Sequence, residues 1–222
     1  MATTSPLWVG VRVVGDVLMN VGLAMVLFVA YETWGKVGEV DAGQHSLEQR
    51  LEQAWTPPGS PPTDADPYPA GAGQPPIVGR LHLPALGLRL VVVDGVSTAD
   101  LRFAPGHYPD SAMPGEVGNM AVAGHRTPGI FWDLDRLEPG DVAVVETADR
   151  WYVHRVTGVR VVAPTAAEVV APVPDRPGAA PTVAMLTLTT CNPKWDNYER
   201  LVVHARLDRV SDKTGGKPDE LT

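Results

Sequence analysis

Hydrophobic and polar positions divide the chain into three textures. Residues 6–34, PLWVGVRVVGDVLMNVGLAMVLFVAYETW, are almost continuously apolar, and Arg12 and Asp16 are the only charges between positions 6 and 31. Residues 13–31 supply the roughly 20 apolar positions that a helix needs to cross a bilayer. Trp8, Tyr31 and Trp34 stand at the margins, where interfacial aromatics collect. The pattern predicts an uncleaved anchor rather than a signal peptide. Its apolar run exceeds the roughly 7–15 residues of a signal's core, and the following ETWGKVGEV offers no Ala-x-Ala site. Farther on, Leu47, Leu51 and Trp55 recur at i, i+4 and i+8, which predicts a short amphipathic helix above the membrane. Residues 56–76, TPPGSPPTDADPYPAGAGQPP, read as an extended, semi-rigid spacer.

From residue 77 the texture changes to short β-like runs punctuated by Gly, Pro and Asp. Strands are expected at 79–83, 90–93, 102–106, 119–125, 141–147, 150–162, 183–190 and 200–207, with helical turns at 98–101 and 130–136. Many short strands with turn signals between them predict an all-β barrel or sandwich. The organisation read from this is a tail and transmembrane anchor at 1–34 and a juxtamembrane segment with Pro-rich linker at 35–76. A catalytic domain at 77–210 and a flexible tail at 211–222 follow.

The formal net charge of −8 and the lack of a basic stripe interleaved with aromatics argue against a nucleic-acid partner. One cysteine cannot form an intramolecular disulfide, so Cys191 is either a small core hydrophobe or a thiol kept for reactivity. It closes the apolar run at 183–190, and Arg200 opens the next run nine residues later. Two strands joined by that short polar loop place a thiol and a guanidinium side by side. A thiol becomes a useful nucleophile when a base and positive charge stand near it. Of six histidines, His82, His154 and His204 sit inside strand-like runs, and His45 precedes the linker. His107 is a further candidate, but His125 stands apart. It follows Met120-Ala121-Val122-Ala123 and Gly124 and opens a Gly/Pro loop, where catalytic groups are often presented. No metal-ligand spacing is visible, and no cofactor is expected.

TLTTC at 187–191, Arg200 downstream and AGHRT at 123–127 resemble the signature of sortases, membrane-anchored cysteine transpeptidases of Gram-positive bacteria. GHYPDSAMPGEVGNMAVAGHR at 106–126 and CNPKWDNYERLVVHARL at 191–207 are most similar to class E. One departure is IFWDLDRL at 130–137, where the family has a Pro-Phe pair, so the loop after His125 is expected to be shaped differently. Trp195, in the loop after Cys191, is left unplaced by the resemblance. The resemblance implies a closed eight-stranded β-barrel with short helices, Cys191 ending the seventh strand, Arg200 on the eighth and His125 after the fourth. It implies cleavage of a Leu-Ala-x-Thr-Gly-like sorting signal between Thr and Gly, with Cys191 as nucleophile, His125 as acid and base, and Arg200 as hydrogen-bond donor. Tyr108 would read the second substrate residue, and Thr190 would help shape the groove. The implied partners are surface proteins bearing such signals and a peptidoglycan precursor amine. The implied location is the cell membrane, single-pass, with the catalytic domain outside. A pilin-polymerising sortase, with Asp66-Pro67-Tyr68 as part of a lid, and a catalytically silent surface-binding barrel are the alternatives.

Overall fold

The computed structural model describes residues 6–31, 36–56 and 75–221. Residues 57–74 of the expected spacer, with Asp66-Pro67-Tyr68, and Trp34 lie outside the described residues. Helix α1, Pro6–Ala30, contains a 20-residue stretch, Gly10–Val29, of mean hydropathy 1.8. That length and apolarity are compatible with a membrane anchor. Asn20 satisfies its amide locally by donating to the carbonyl of Asp16 at 2.7 Å.

The β-like runs form eight strands: β1 Ile77–Leu83, β2 Leu88–Asp94, β3 Gly106–His107, β4 Gly118–Ala123, β5 Val142–Glu146, β6 Arg150–Val162, β7 Ala184–Asn192 and β8 Glu199–Asp212. They close a barrel in the order β1-β2-β3-β4-β7-β8-β6-β5, with β5 returning to β1. The pairs β2/β3 and β4/β7 are parallel. Alternation accounts for the core: Leu81 and Leu83, Leu90 and Val92, Met120 and Val122, Leu186 and Leu188 are spaced by two and fill one interior. The expected all-β closed barrel is therefore what the chain forms.

Several boundaries differ from the sequence reading. The strand expected at 102–106 is a 3-10 turn, Asp100–Arg102, followed by buried Phe103 and Ala104. Only Gly106–His107 is strand, held between β2 and β4. Gly106 is required there, because an added Cβ would collide with the carbonyl oxygen of Gly95.

The amphipathic helix exists as α2, Lys36–Trp55, but it docks on the barrel instead of standing apart from it. Leu47 and Leu51 are buried against Val91, Val93, Phe103 and Ala104. Strand β2 is apolar on both faces, so Val91 and Val93 need an external cover. Gln44 completes the dock: its Oε1 accepts from the Val91 amide at 2.8 Å and its Nε2 donates to the Phe103 carbonyl at 2.9 Å. The compact unit that contains the barrel thus begins at Val40, ahead of the boundary expected at 77.

The tail expected to be flexible from 211 is likewise tied down. Its first residues extend β8 by pairing with β6, Arg150 opposite Asp212. Glu220 pairs with Arg155 at 3.4 Å and Arg209 at 2.8 Å, and Leu221 packs against Val144, Trp151 and Val153.

A buried charge cluster joins these elements. Arg80 on β1 bridges Glu48 of α2 and Glu146 of β5. His82 Nε2 lies 2.8 Å and Lys213 Nζ 2.7 Å from Glu146, and Trp55 covers Lys213. Burial alone would raise the Glu146 pKa, but the hydrogen bonds from His82, Lys213 and Arg80 outweigh it and hold the carboxyl at about 2.

Two outcomes are expected. Leu47→Ala should cost about 3 kcal/mol in urea unfolding, because a fully buried side chain loses its transfer free energy and leaves a cavity. A folded pKa below the unfolded one means stability that is complete above the unfolded carboxyl pKa and fades as pH falls toward about 2. Glu146→Gln should therefore be less stable than the parent at pH 7 by on the order of 3 kcal/mol, and the difference should vanish as pH falls to about 2. A pH-independent difference would remove the carboxylate from this account.

Candidate active site

Three strand ends converge on one rim of the barrel. Because β4 runs parallel to β7, both deliver their C-terminal ends to the same side. Because β8 runs antiparallel to β7, it starts there. Cys191, next to last in β7, pairs directly with Arg200, second in β8. His125 lies two residues past β4, after the Gly124 amide has donated to the Thr189 carbonyl at 3.0 Å. Gly124 passes so close to Phe131 that an added Cβ would lie 2.6 Å from its ring.

Tyr108, His125, Thr190, Cys191 and Arg200 all line one cleft of about 400 Å³. The five residues singled out from the sequence are thus brought together. Cys191 is a free thiol, partly exposed, and His125 is exposed. Arg200 donates through Nη1 to the carbonyls of Asn197 at 2.7 Å and Glu199 at 2.8 Å. Thr190 is buried, and its Oγ1 has no hydrogen-bond partner among the described residues. The Tyr108 hydroxyl lies 3.5 Å from Thr189 Oγ1. Its backbone is fixed by the Ala121 carbonyl at 3.0 Å and by Ser111 Oγ, which donates to the Tyr108 carbonyl at 2.7 Å. Ser111 is itself held by buried His107, whose other nitrogen meets Asp94 at 2.9 Å.

The remaining histidines are occupied elsewhere. His82 faces Glu146, and His204 Nδ1 meets Thr187 Oγ1 at 2.9 Å. His154 Nδ1 meets the Tyr152 carbonyl at 3.0 Å, and burial pushes its pKa down to about 4, so it is neutral near pH 7. His45 lies on α2 with Gln49 as neighbour. Among the described residues, no group of three or more His, Cys, Asp or Glu is placed to hold a metal ion.

Sequence reasoning missed part of the cleft. Residues 162–170, including the 3-10 turn Ala167–Val170, form a wall that carries no chemical signal in the sequence. It also passed over Arg126, which is buried beside the site although it stands in the quoted AGHRT. The altered IFWDLDRL segment is anchored by Ile130, Phe131, Leu134 and Leu137 in the main core. Trp195, unplaced in the sequence, meets Trp132 edge-on with ring centres 4.9 Å apart and is 83% exposed. A thiol, an imidazole and a guanidinium around one cleft can supply a nucleophile, a proton carrier and a donor to a developing oxyanion.

Known proteins with this architecture agree. A family model described as the sortase domain matches residues 81–208, more than half of the chain. Sortase SrtE1 of Streptomyces coelicolor is 31% identical over 95% of this chain, which spans 60% of that relative's length. Sortase SrtE2 of the same organism is 30% identical over 95% of this chain and 88% of its own. A crystal structure of sortase E1 from Streptomyces coelicolor with a tripeptide in the active site has a TM-score of 0.62 at 32% identity, covering 66% of this chain and 97% of that one. With the domain match and class E relatives on both counts, this chain belongs to the sortase family of transpeptidases, in its class E branch.

Proposed function

We propose that this chain is a membrane-anchored cysteine transpeptidase that cleaves a Leu-Ala-x-Thr-Gly-like sorting signal between Thr and Gly. The observation that supports it is the direct pairing of Cys191 with Arg200 on a rim that also presents His125. Cys191 Sγ attacks the Thr carbonyl to give a thioacyl-enzyme, and the Gly amine leaves with a proton from His125. A peptidoglycan precursor amine then attacks the thioester, gives its proton to His125 and releases Cys191 as the thiolate. The product carries a new amide bond at Thr. Arg200 donates to the oxyanion, a task that suits a planar and permanently charged fork.

Tyr108 reads the second substrate residue, and Thr190 helps shape the groove. Helix α1 crosses the cell membrane once, with the short N-terminal tail inside and the barrel outside. The substrates are surface proteins that carry the sorting signal at their C-terminus.

The test uses the full chain in detergent micelles, a Leu-Ala-x-Thr-Gly peptide, its Leu-Pro-x-Thr-Gly counterpart and an amine, with products weighed by mass spectrometry. A Thr–amine ligation product is expected, and Cys191→Ala should give none. Arg200→Ala should lower kcat by about 10²–10³-fold, with Arg200→Lys recovering only part of the loss. Near-normal turnover in Arg200→Ala would remove its proposed role. Tyr108→Ala should narrow the preference for the Ala peptide over the Pro peptide, and an unchanged ratio would exclude Tyr108 as the reader.

A further inference from the structure

Each of the three reacting residues has a chain neighbour that belongs to a second, linked triplet. Arg126 follows His125, Asn192 follows Cys191, and Glu199 precedes Arg200. Along a strand, successive side chains point to opposite faces, so Asn192 and Glu199 face away from Cys191 and Arg200. The same register that opposes Cys191 to Arg200 opposes Asn192 to Glu199.

The second triplet is connected by hydrogen bonds. Arg126 Nη1 donates to Asn192 Oδ1 at 2.7 Å and to the carbonyl of Cys191 itself at 3.3 Å. Asn192 Nδ2 donates to Glu199 Oε2 at 2.7 Å. The Glu199 carbonyl accepts from Arg200 Nη1 at 2.8 Å. Arg126 is fixed at its other atoms, with Nε donating to the Trp132 carbonyl at 3.3 Å and Nη2 lying 3.0 Å from Asp135. Its side chain is only 3% exposed.

From this we infer that Arg126, Asn192 and Glu199 form a clasp that sets the spacing of His125, Cys191 and Arg200. The inference rests on the proposed transpeptidase chemistry and adds positioning residues to it. Ladder hydrogen bonds hold Cys191 and Arg200, but His125 is on a loop, and a loop moves relative to a strand. A planar guanidinium that donates at once to the nucleophile's carbonyl and to the next side chain removes that freedom. Asn192 suits the centre because it accepts with one atom and donates with the other, linking a cation to a carboxylate. A misplacement of about 1 Å in a reacting group costs on the order of 10²-fold in rate.

The experiment uses the full chain in detergent micelles and four variants: Asn192→Ala, Glu199→Ala, the double variant and Arg126→Lys. Ligation kcat and KM, thermal midpoints and the rate of Cys191 alkylation by iodoacetamide are measured for each. Asn192→Ala should lower kcat by about 10–100-fold while KM changes by less than about threefold. Adding Glu199→Ala to it should lower kcat no further, because both changes cut the same link. Arg126→Lys keeps the charge but lacks the fork, so it should match Asn192→Ala. Multiplying losses in the double variant, a wild-type kcat in Asn192→Ala, or a loss that only follows the thermal midpoint would each overturn the clasp. If the parent ligates no peptide, the transpeptidase reading fails by itself and alkylation decides the clasp. In that case an alkylation rate changed in Asn192→Ala and unchanged further in the double variant supports it, and identical rates in all proteins overturn it.

Discussion

The antiparallel ladder between β7 and β8 opposes Cys191 to Arg200 and, one step on, Asn192 to Glu199. Side chains alternate along a strand, so a slip of one residue would turn the thiol away from the cleft. Core packing prevents that slip. Leu186 and Leu188 on β7, and Leu201, Val203 and Ala205 on β8, are buried in the barrel interior. A one-residue shift would exchange them for their polar neighbours, Thr187, His204 and Arg206 among them. Strand β8 is also paired along its length with β6, so its register is set from both sides.

The cleft adds less rigid parts to this frame. His125 comes from the loop after β4, which is stitched to the β7–β8 loop by Lys194 with Asp133 at 2.8 Å and by Trp132 against Trp195. The wall at 162–170 is tethered through Asn119, whose Nδ2 donates to the Ala171 carbonyl at 3.0 Å. Asn119 Oδ1 in turn accepts from Thr187 Oγ1 at 2.7 Å, and Thr187 meets His204. Burial lowers the His204 pKa, so the imidazole there is neutral near pH 7 and serves as a hydrogen-bonding group.

Away from the cleft, α2 and the end of the chain are held by the Glu48–Arg80–Glu146–Lys213 cluster under Trp55. Charges this deep stabilise only when every partner is present, because a partner left alone is an uncompensated buried charge. The cluster therefore gives the docked helix a specific seat, while the burial of Leu47 and Leu51 supplies its apolar contact.

Periodicity and composition alone determined the apolar N-terminal helix, most of the strands and the sequence positions of Cys191, His125 and Arg200, because these depend on local alternation and on rare residues at strand ends. The sequence motif also carried the sortase resemblance. What only tertiary structure decided was set by partners far along the chain. Strand β3 has two residues and exists only between β2 and β4. Phe103 is buried by α2, not by any strand pattern of its own. Ser211 and Asp212 lie in β8 because β6 is long enough to pair with them, although their polarity reads as a tail. Arg126 and Asn192 look like ordinary loop and turn residues until β4 and β7 lie side by side. A hydrogen bond between residues 66 positions apart leaves no period in a sequence, since it depends on distance in the fold.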